Sequence, residues 1–502
     1  MTDRTRRSSG RGVRTTLRLA SAGAAILGAA CLDRLGGPDA LGHGAALPVA
    51  EENLRPGSRD WDAQLFAGVD STIAGFGLPS SLSAGDTLRL FVTAGRGPVT
   101  VSVYRLGWYS GEGARLIARH FRLPARLEPP CSAPLPGPAV CSWSETDQFV
   151  VGQEWPPGVY VARFSDALGQ AAASPFVVRS SRPTSFVVVL SFATYQAYND
   201  WGGASLYRGA GTTYAAAYAN RAVKVSFTRP LSVQALRSHV LGLDYPLVRW
   251  LEQNGYDVSY LTDYDFHLGR GPDPSVAWLF AGHSEYWSWP MWLRANAARA
   301  QGIGLGFLGG NDIHWVVRFE SVSVQGHDAP VVVCYRDATR DPLGATPGLA
   351  TVLFRSPPNN TPPNALVGVM TPLHGLLQRG PIDLVVADAS DPLMRGTGLA
   401  TGQHIPRVAG WEADRIVDNG VTPPGIRVLF RSPFLPVGDT VPSGLMEATV
   451  YTWQPSGALV YASGEPGFAW GLATYRQFVA RPAVERFLQN VLTAFVAARS
   501  TK

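Results

Sequence analysis

The sequence predicts an α/β protein preceded by a separate all-β unit. Three observations carry this. Between about 62 and 179, short apolar runs alternate with turn residues at regular spacing, as in a β-sandwich of immunoglobulin-like type. From Ser185 onward, strongly apolar runs alternate with stretches of helical apolar spacing. That is the pattern of a parallel sheet with helices on both faces, of the glutamine-amidotransferase-like or flavodoxin-like kind. Finally, 502 residues are too many for one ordinary core.

The expected order is an export signal over 1–31, a linker over 32–61, the sandwich over 62–180 and the α/β unit over 181–498. Six arginines within residues 1–18 precede an apolar run, Leu19 to Ala30, too short to span a bilayer. The run ends Leu27-Gly-Ala-Ala-Cys31, close to a lipoprotein cleavage box, so lipidation of Cys31 and simple cleavage nearby are alternatives. Arg6-Arg7 raises a twin-arginine signal, but its flanks fit poorly. The expected location is periplasmic, anchored to the membrane by lipid, or secreted.

The sandwich strands are expected at Leu88–Thr93, Val99–Tyr104, Phe149–Val151, Gly158–Phe164 and Ala172–Val178. Among them, Tyr104-Arg-Leu-Gly-Trp-Tyr-Ser-Gly-Glu-Gly-Ala-Arg115 contains three glycines that suit a tight connection; its aromatics either plug one end of the sandwich or face the next domain. In the α/β unit, strands are expected at Ser185–Phe192, Val223–Phe227, Tyr256–Thr262, 276–282 and Ile303–Leu308, and helices over 233–254 and 290–301. From about 325 to 470 strands dominate again (Val331–Tyr335, Thr351–Arg355, Ile426–Arg431, Leu445–Trp453, Ala458–Ser463), which suggests an additional β-rich insertion. A closing amphipathic helix is expected over 482–498.

A hydrophobic content of 46% with only 16% charged residues argues against disorder and coiled coil. The net charge of +5 comes from the first 18 residues; the rest holds 37 basic and 37 acidic residues, so nothing points to nucleic acid. Cys131 and Cys141 flank a proline-rich loop, a spacing that permits a disulfide in an exported protein. Cys334 reads as a core thiol. The absence of Cys-x-x-Cys and His-Glu-x-x-His argues against ordinary zinc frameworks.

Three apolar strands run into polar or aromatic clusters: Thr194 to Tyr207, His283-Ser-Glu-Tyr286, and Gly309-Gly-Asn-Asp-Ile-His-Trp315. A parallel sheet would place all three along one edge, where such folds bind ligands. Ser284 lacks the second glycine of a hydrolase elbow, and no strand end carries cysteine or a phosphate loop. What remains is Tyr, Glu, His, Asn and Asp. Phenolate and carboxylate oxygens are hard ligands, suited to ferric iron; tyrosines packed with their hydroxyls hydrogen-bonded are the alternative.

Thr194-Tyr-Gln-Ala-Tyr-Asn-Asp-Trp-Gly-Gly-Ala-Ser-Leu-Tyr207, Gly-His-Ser-Glu-Tyr-Trp at 282–287 and Gly-Gly-Asn-Asp at 309–312 resemble the large (beta) subunit of N,N-dimethylformamidase, especially its C-terminal domain. The 104–115 motif resembles the sandwich domain before it. The resemblance implies amide hydrolysis at a mononuclear Fe3+ held by two tyrosines and one glutamate. By motif, Glu285 and Tyr198 would be ligands, His283 the proton-handling group, and Asn311 the group that holds substrate or the oxyanion. For the second tyrosine, Tyr160 fits by its distance upstream, with Tyr195 and Tyr207 as rivals; Trp201, Tyr286 and Asp312 complete the expected cleft. The expected partners are a small amide substrate and either a second copy or a small companion subunit. The chain lacks the family's long N-terminal extension and carries an export signal, so the substrate need not be dimethylformamide. A rival reading keeps the scaffold without the chemistry: a cell-surface carbohydrate-binding or carbohydrate-processing protein, with Trp201, Trp287, Trp289 and Trp315 as a stacking platform.

Overall fold

The computed structural model describes residues 48–65, 72–132, 137–372 and 380–500. The expected export signal and Cys31 lie outside these residues. The chain is mixed α/β with several sheets. Among the described residues, no helix is long and apolar enough to cross a membrane.

Two sheets make up the all-β unit. One holds Ile73–Leu78, Thr87–Ala94 and Asp147–Val150; the other holds Ser81–Leu82, Ala171–Val178, Gly158–Ser165, Val99–Leu106 and Ala114–Leu123. Alternating side chains such as Leu88, Leu90, Val101, Val103, Phe164 and Phe176 fill a core shared by the two sheets. Cys131 and Cys141 are disulfide-bonded, and Cys334 is a buried free thiol.

The central sheet has seven strands. In spatial order they are Val258–Thr262, Phe186–Leu190, Ala277–Gly282, Gly304–Gly309, Ala458–Ala462, Gly444–Trp453 and Arg427–Phe434. The first five pair in parallel, as continuous buried apolar runs require. The order reverses between Phe186–Leu190 and Ala277–Gly282: the chain leaves the former for one neighbour and returns to the other side. Such a switch point opens a crevice beyond the carboxyl ends of the strands.

The expected β-rich insertion is distributed differently. Ala458–Ala462, buried along its whole length, extends the parallel sheet, and the two strands before it close its edge in antiparallel fashion; the outermost, Arg427–Phe434, alternates exposed and buried positions as a one-sided edge strand does. Trp315–Val324 and His327–Val333 instead join Lys224–Ser226 and Tyr286–Ser288 in a four-stranded sheet. The expected strand at Thr351–Arg355 makes only an isolated bridge, Trp315 to Leu353.

The expected helix over 233–254 is interrupted. Between Val233–Ala235 and the α-helix Tyr245–Gln253 lies a π-helical stretch, Leu236–Asp244, in which Tyr245 N–H bonds back to Val240 O. Helices Trp289–Ala300 and Pro482–Ser500 match their apolar spacing; the former starts at a Ser288 cap followed by Pro290.

Part of the expected linker is folded. Helix Pro48–Asn53 buries Glu52 and Asn53, and Trp61 packs against Tyr245 and Tyr475. These residues join a buried polar clamp between the two units. Arg105, on the sandwich strand Val99–Leu106, donates to both oxygens of Glu252 at 2.7 and 2.8 Å, and neither side chain has any exposure. Asn53, Tyr109 and Tyr260 complete the network. The 104–115 motif therefore faces the next domain: Tyr245 Oη donates to Gly113 O, and Arg249 stacks over Trp108. Removing one partner of such a pair strands a buried charge. Glu252→Gln is expected to cost ~3–5 kcal/mol in urea unfolding, and Arg105→Met/Glu252→Leu together distinctly less than the two single losses summed.

Candidate functional site

The site is built at the neighbouring ends of Phe186–Leu190, Ala277–Gly282 and Gly304–Gly309. Two glycines allow the close approach. Gly282 has φ +59°, and a Cβ there would meet Asp244 Oδ1 at 2.1 Å; a Cβ on Gly309 would meet Gly282 O at 1.8 Å. Past these turns, His283 and Glu285 are delivered from one strand and Asn311, at φ +54°, from the next. Helix Phe192–Tyr198 and the loop after it supply Tyr198 and Tyr207.

Tyr198 Oη donates to Tyr207 Oη at 3.0 Å, and Tyr207 Oη donates to Glu285 Oε1 at 2.5 Å. Glu285 Oε2 accepts no hydrogen bond and faces His283 Nε2 at 3.5 Å. His283 Nε2 lies 2.9 Å from Glu412 Oε2. Asn311 Nδ2 also donates to Glu412 and lies 3.5 Å from His283 Nε2. Behind it, Thr371 Oγ1 is 2.6 Å from both Asn311 Oδ1 and Asp414 Oδ1, and Asp414 accepts from Asn311 N–H. Two cationic or aromatic walls frame the cluster. Arg336 lies over the Tyr207 ring at 4.0 Å and donates to Tyr286 Oη. His239 packs on Tyr198 at 4.7 Å and stacks parallel to His283 at 5.9 Å.

Burial governs the electrostatics. It raises the Tyr198 and Tyr207 phenols well above their ordinary value, and Glu285 pushes them further. Burial likewise raises Glu285, against the pull of His283, and raises Asp414 to about 7. For His283, burial favours the neutral ring, but Glu412 and Glu285 together outweigh it and hold the imidazole at about 9.

Tyr198, Tyr207, His283, Glu285 and Asn311 thus meet in one place. Tyr160 does not join them. It sits in the sandwich core between Trp155 and Phe176, and its hydroxyl donates to Pro156 O at 2.6 Å. Its inward-facing strand position puts it in a different core. Tyr195 donates to Asp244 rather than to the cluster, and Asp312 is buried near His283 with one carboxyl oxygen unpartnered. Tyr286 meets the cluster through its hydrogen bond with Arg336. Trp201 packs edge-on against Trp143. The tryptophan platform does not form: Trp287 is fully buried and Trp289 stacks on Phe354. Sequence reasoning missed Glu412, Asp414, Thr371, His239 and Arg336; the Trp411-Glu-Ala-Asp414 cluster was the one available signal for two of them.

Among the described residues, no three His, Cys, Asp or Glu side chains form a metal-holding group. The donor set that does converge is two phenol oxygens and a carboxylate with one buried oxygen lacking a hydrogen bond, which fits a hard cation.

Without a bound cation, His283 is held protonated chiefly by Glu412. Its contribution to stability is complete below about 6.5 and is lost as pH rises through about 9. Glu412→Gln is expected to lower the His283 pKa by about a unit or more in an NMR titration and to flatten the fall in stability over that window. An unmoved His283 titration would show that Glu412 is not its counter-ion.

No curated protein matches the chain significantly. The N,N-dimethylformamidase beta subunit-like, C-terminal family matches residues 100–480, a span that takes in most of the sandwich and every residue of the tyrosine–glutamate–histidine cluster. On that match, the chain belongs to the N,N-dimethylformamidase beta subunit-like, C-terminal family.

Proposed function

We propose that this protein is an exported hydrolase that cleaves a carbon–nitrogen amide bond, with a mononuclear ferric ion held by Tyr198, Tyr207 and Glu285. The observation that carries it is the hydroxyl chain from Tyr198 through Tyr207 to Glu285, ending beside an unbonded buried carboxylate oxygen. Family membership supports the dimethylformamidase-like chemistry. The family takes its name from an enzyme subunit, so a small companion subunit or a second copy is part of the proposal. Export, by lipid anchor at Cys31 or by simple cleavage, rests on the N-terminal pattern alone.

When bound, ferric iron supplies Lewis-acid polarisation of the amide carbonyl and acidifies water. The remaining steps belong to side chains. Glu285, if committed to a cation, would no longer add to the hold that Glu412 keeps on the His283 proton, which would lower the imidazole from its raised value toward general-base work. His283 Nε2 then accepts a proton from the attacking water and returns it to the departing amine nitrogen. Asn311 Nδ2 donates to the carbonyl oxygen as negative charge develops there, held in place by Thr371 and by Asp414 on its backbone N–H. Arg336 fixes the Tyr207 ring from its outer face.

Purified protein is expected to contain about one iron per chain and to show a visible tyrosinate-to-metal band. Tyr207→Phe and Glu285→Ala are expected to lose iron and colour, whereas Tyr160→Phe keeps both. Asn311→Ala is expected to retain iron but release amine from a panel of simple amides ~10²–10³-fold more slowly. Colourless protein that binds no iron and releases no amine would overturn the proposal.

A further inference from the structure

Beyond the cluster, a cavity of about 440 Å³ opens between the π-helical stretch Leu236–Asp244 and the segments around 407–411 and 470–481. Its size is that of a small-molecule site. Three guanidinium groups line it, from Arg237, Arg407 and Arg481, together with Trp411, Trp470 and Phe478; among the described residues no Asp or Glu lines it. Outside the first 18 residues, acidic and basic residues are equal in number, so such a wall departs from the composition of the chain. Neither Arg407 nor Arg481 forms an ion pair with a described carboxylate, and Arg481 Nε is buried without a hydrogen-bond partner. The aromatic part is preorganised: Trp470 stacks on Phe478 at 5.5 Å, and its indole N–H donates to Gly242 O at 2.9 Å.

One residue joins this cavity to the cluster. Trp411 lines the cavity, yet its ring lies 5.3 Å from that of His239 and 6.3 Å from that of His283, and the next residue is Glu412. It is 36% exposed and holds φ +88°, a left-handed backbone that a bulky residue adopts only when its surroundings impose it. The π-helical stretch is likewise shared, turning His239 to the cluster and Ser238 to the cavity.

We propose that this cavity receives the far end of the substrate, and that the substrate is an amide carrying an oxyanion group, a carboxylate or a phosphate, on an apolar or aromatic stem. This rests on the amide-hydrolase reading. Arg407 and Arg481 grip the oxyanion through charge-assisted hydrogen bonds, Trp470 and Phe478 pack on the stem, and Trp411 separates the grip from the scissile amide. A neutral amide as small as dimethylformamide would leave these guanidinium groups unused.

The test is binding to the full chain, followed by tryptophan fluorescence and calorimetry. N-Acetylphenylalanine and phenyl phosphate supply the two oxyanions; N-acetylphenylalaninamide is the neutral match. Either acid is expected to bind at least about tenfold more tightly than the carboxamide, and the tighter of the two names the group. Arg407→Met and Arg481→Met are each expected to weaken acid binding about tenfold or more, with the lysine variants recovering part of it. Equal binding of acid and carboxamide, or acid binding indifferent to both arginines, would overturn the inference. Amine release is assayed separately. Release from neutral amides without acid preference would leave the hydrolase standing and remove the subsite; acid-selective binding without release from any acidic amide would do the reverse.

Discussion

The buried pairing of Arg105 with Glu252 sets the frame for the rest of the molecule. It joins a sandwich strand to helix Tyr245–Gln253 through two fully buried side chains, so the orientation of the two units is tied to satisfying both charges. The helix is continuous with the π-helical stretch that carries His239 and Asp244. Asp244 in turn crowds the space a side chain at position 282 would need. An unbroken path of packed elements therefore runs from the sandwich to the turn that aims His283.

Within that frame the tyrosine–glutamate–histidine cluster carries a surplus of acid. Glu285, Glu412, Asp414 and Asp312 lie close together, against the cations His283 and Arg336. Burial pushes Asp414 and Asp312 toward their neutral forms, which moderates the repulsion but leaves a deficit of positive charge near Glu285. The neighbouring cavity has the opposite imbalance. The two lie on either side of Trp411, a polarity that suits a ligand neutral at one end and anionic at the other.

Much of this was legible in the sequence, for physical reasons. Strands buried on both faces must be continuously apolar, so Phe186–Leu190, Ala277–Gly282 and Gly304–Gly309 announced themselves. A parallel sheet then puts their ends together, which is why His283, Glu285, Asn311 and Tyr198 could be named as a group. Tyr160 was misplaced because distance along the chain does not reveal which way a sandwich tyrosine faces. Tyr207, only a rival by sequence, reaches Glu285 through a loop whose path no periodicity encodes. Glu412 and Asp414 come from an irregular segment whose folding back over the sheet edge depends on the Ala458–Ala462 strand joining the sheet.

The π-helical stretch has a further implication. Closing its hydrogen bonds over five residues holds one residue more than an α-helix would in the same length. Deleting a single position between Leu236 and Asp244 would let the stretch close as an α-helix in about the same length, so Tyr245–Gln253 would keep its facing while side chains within the stretch, His239 among them, would be redistributed. The extra residue therefore bears on the His239 wall against Tyr198 and His283, and leaves the Arg105–Glu252 clamp untouched.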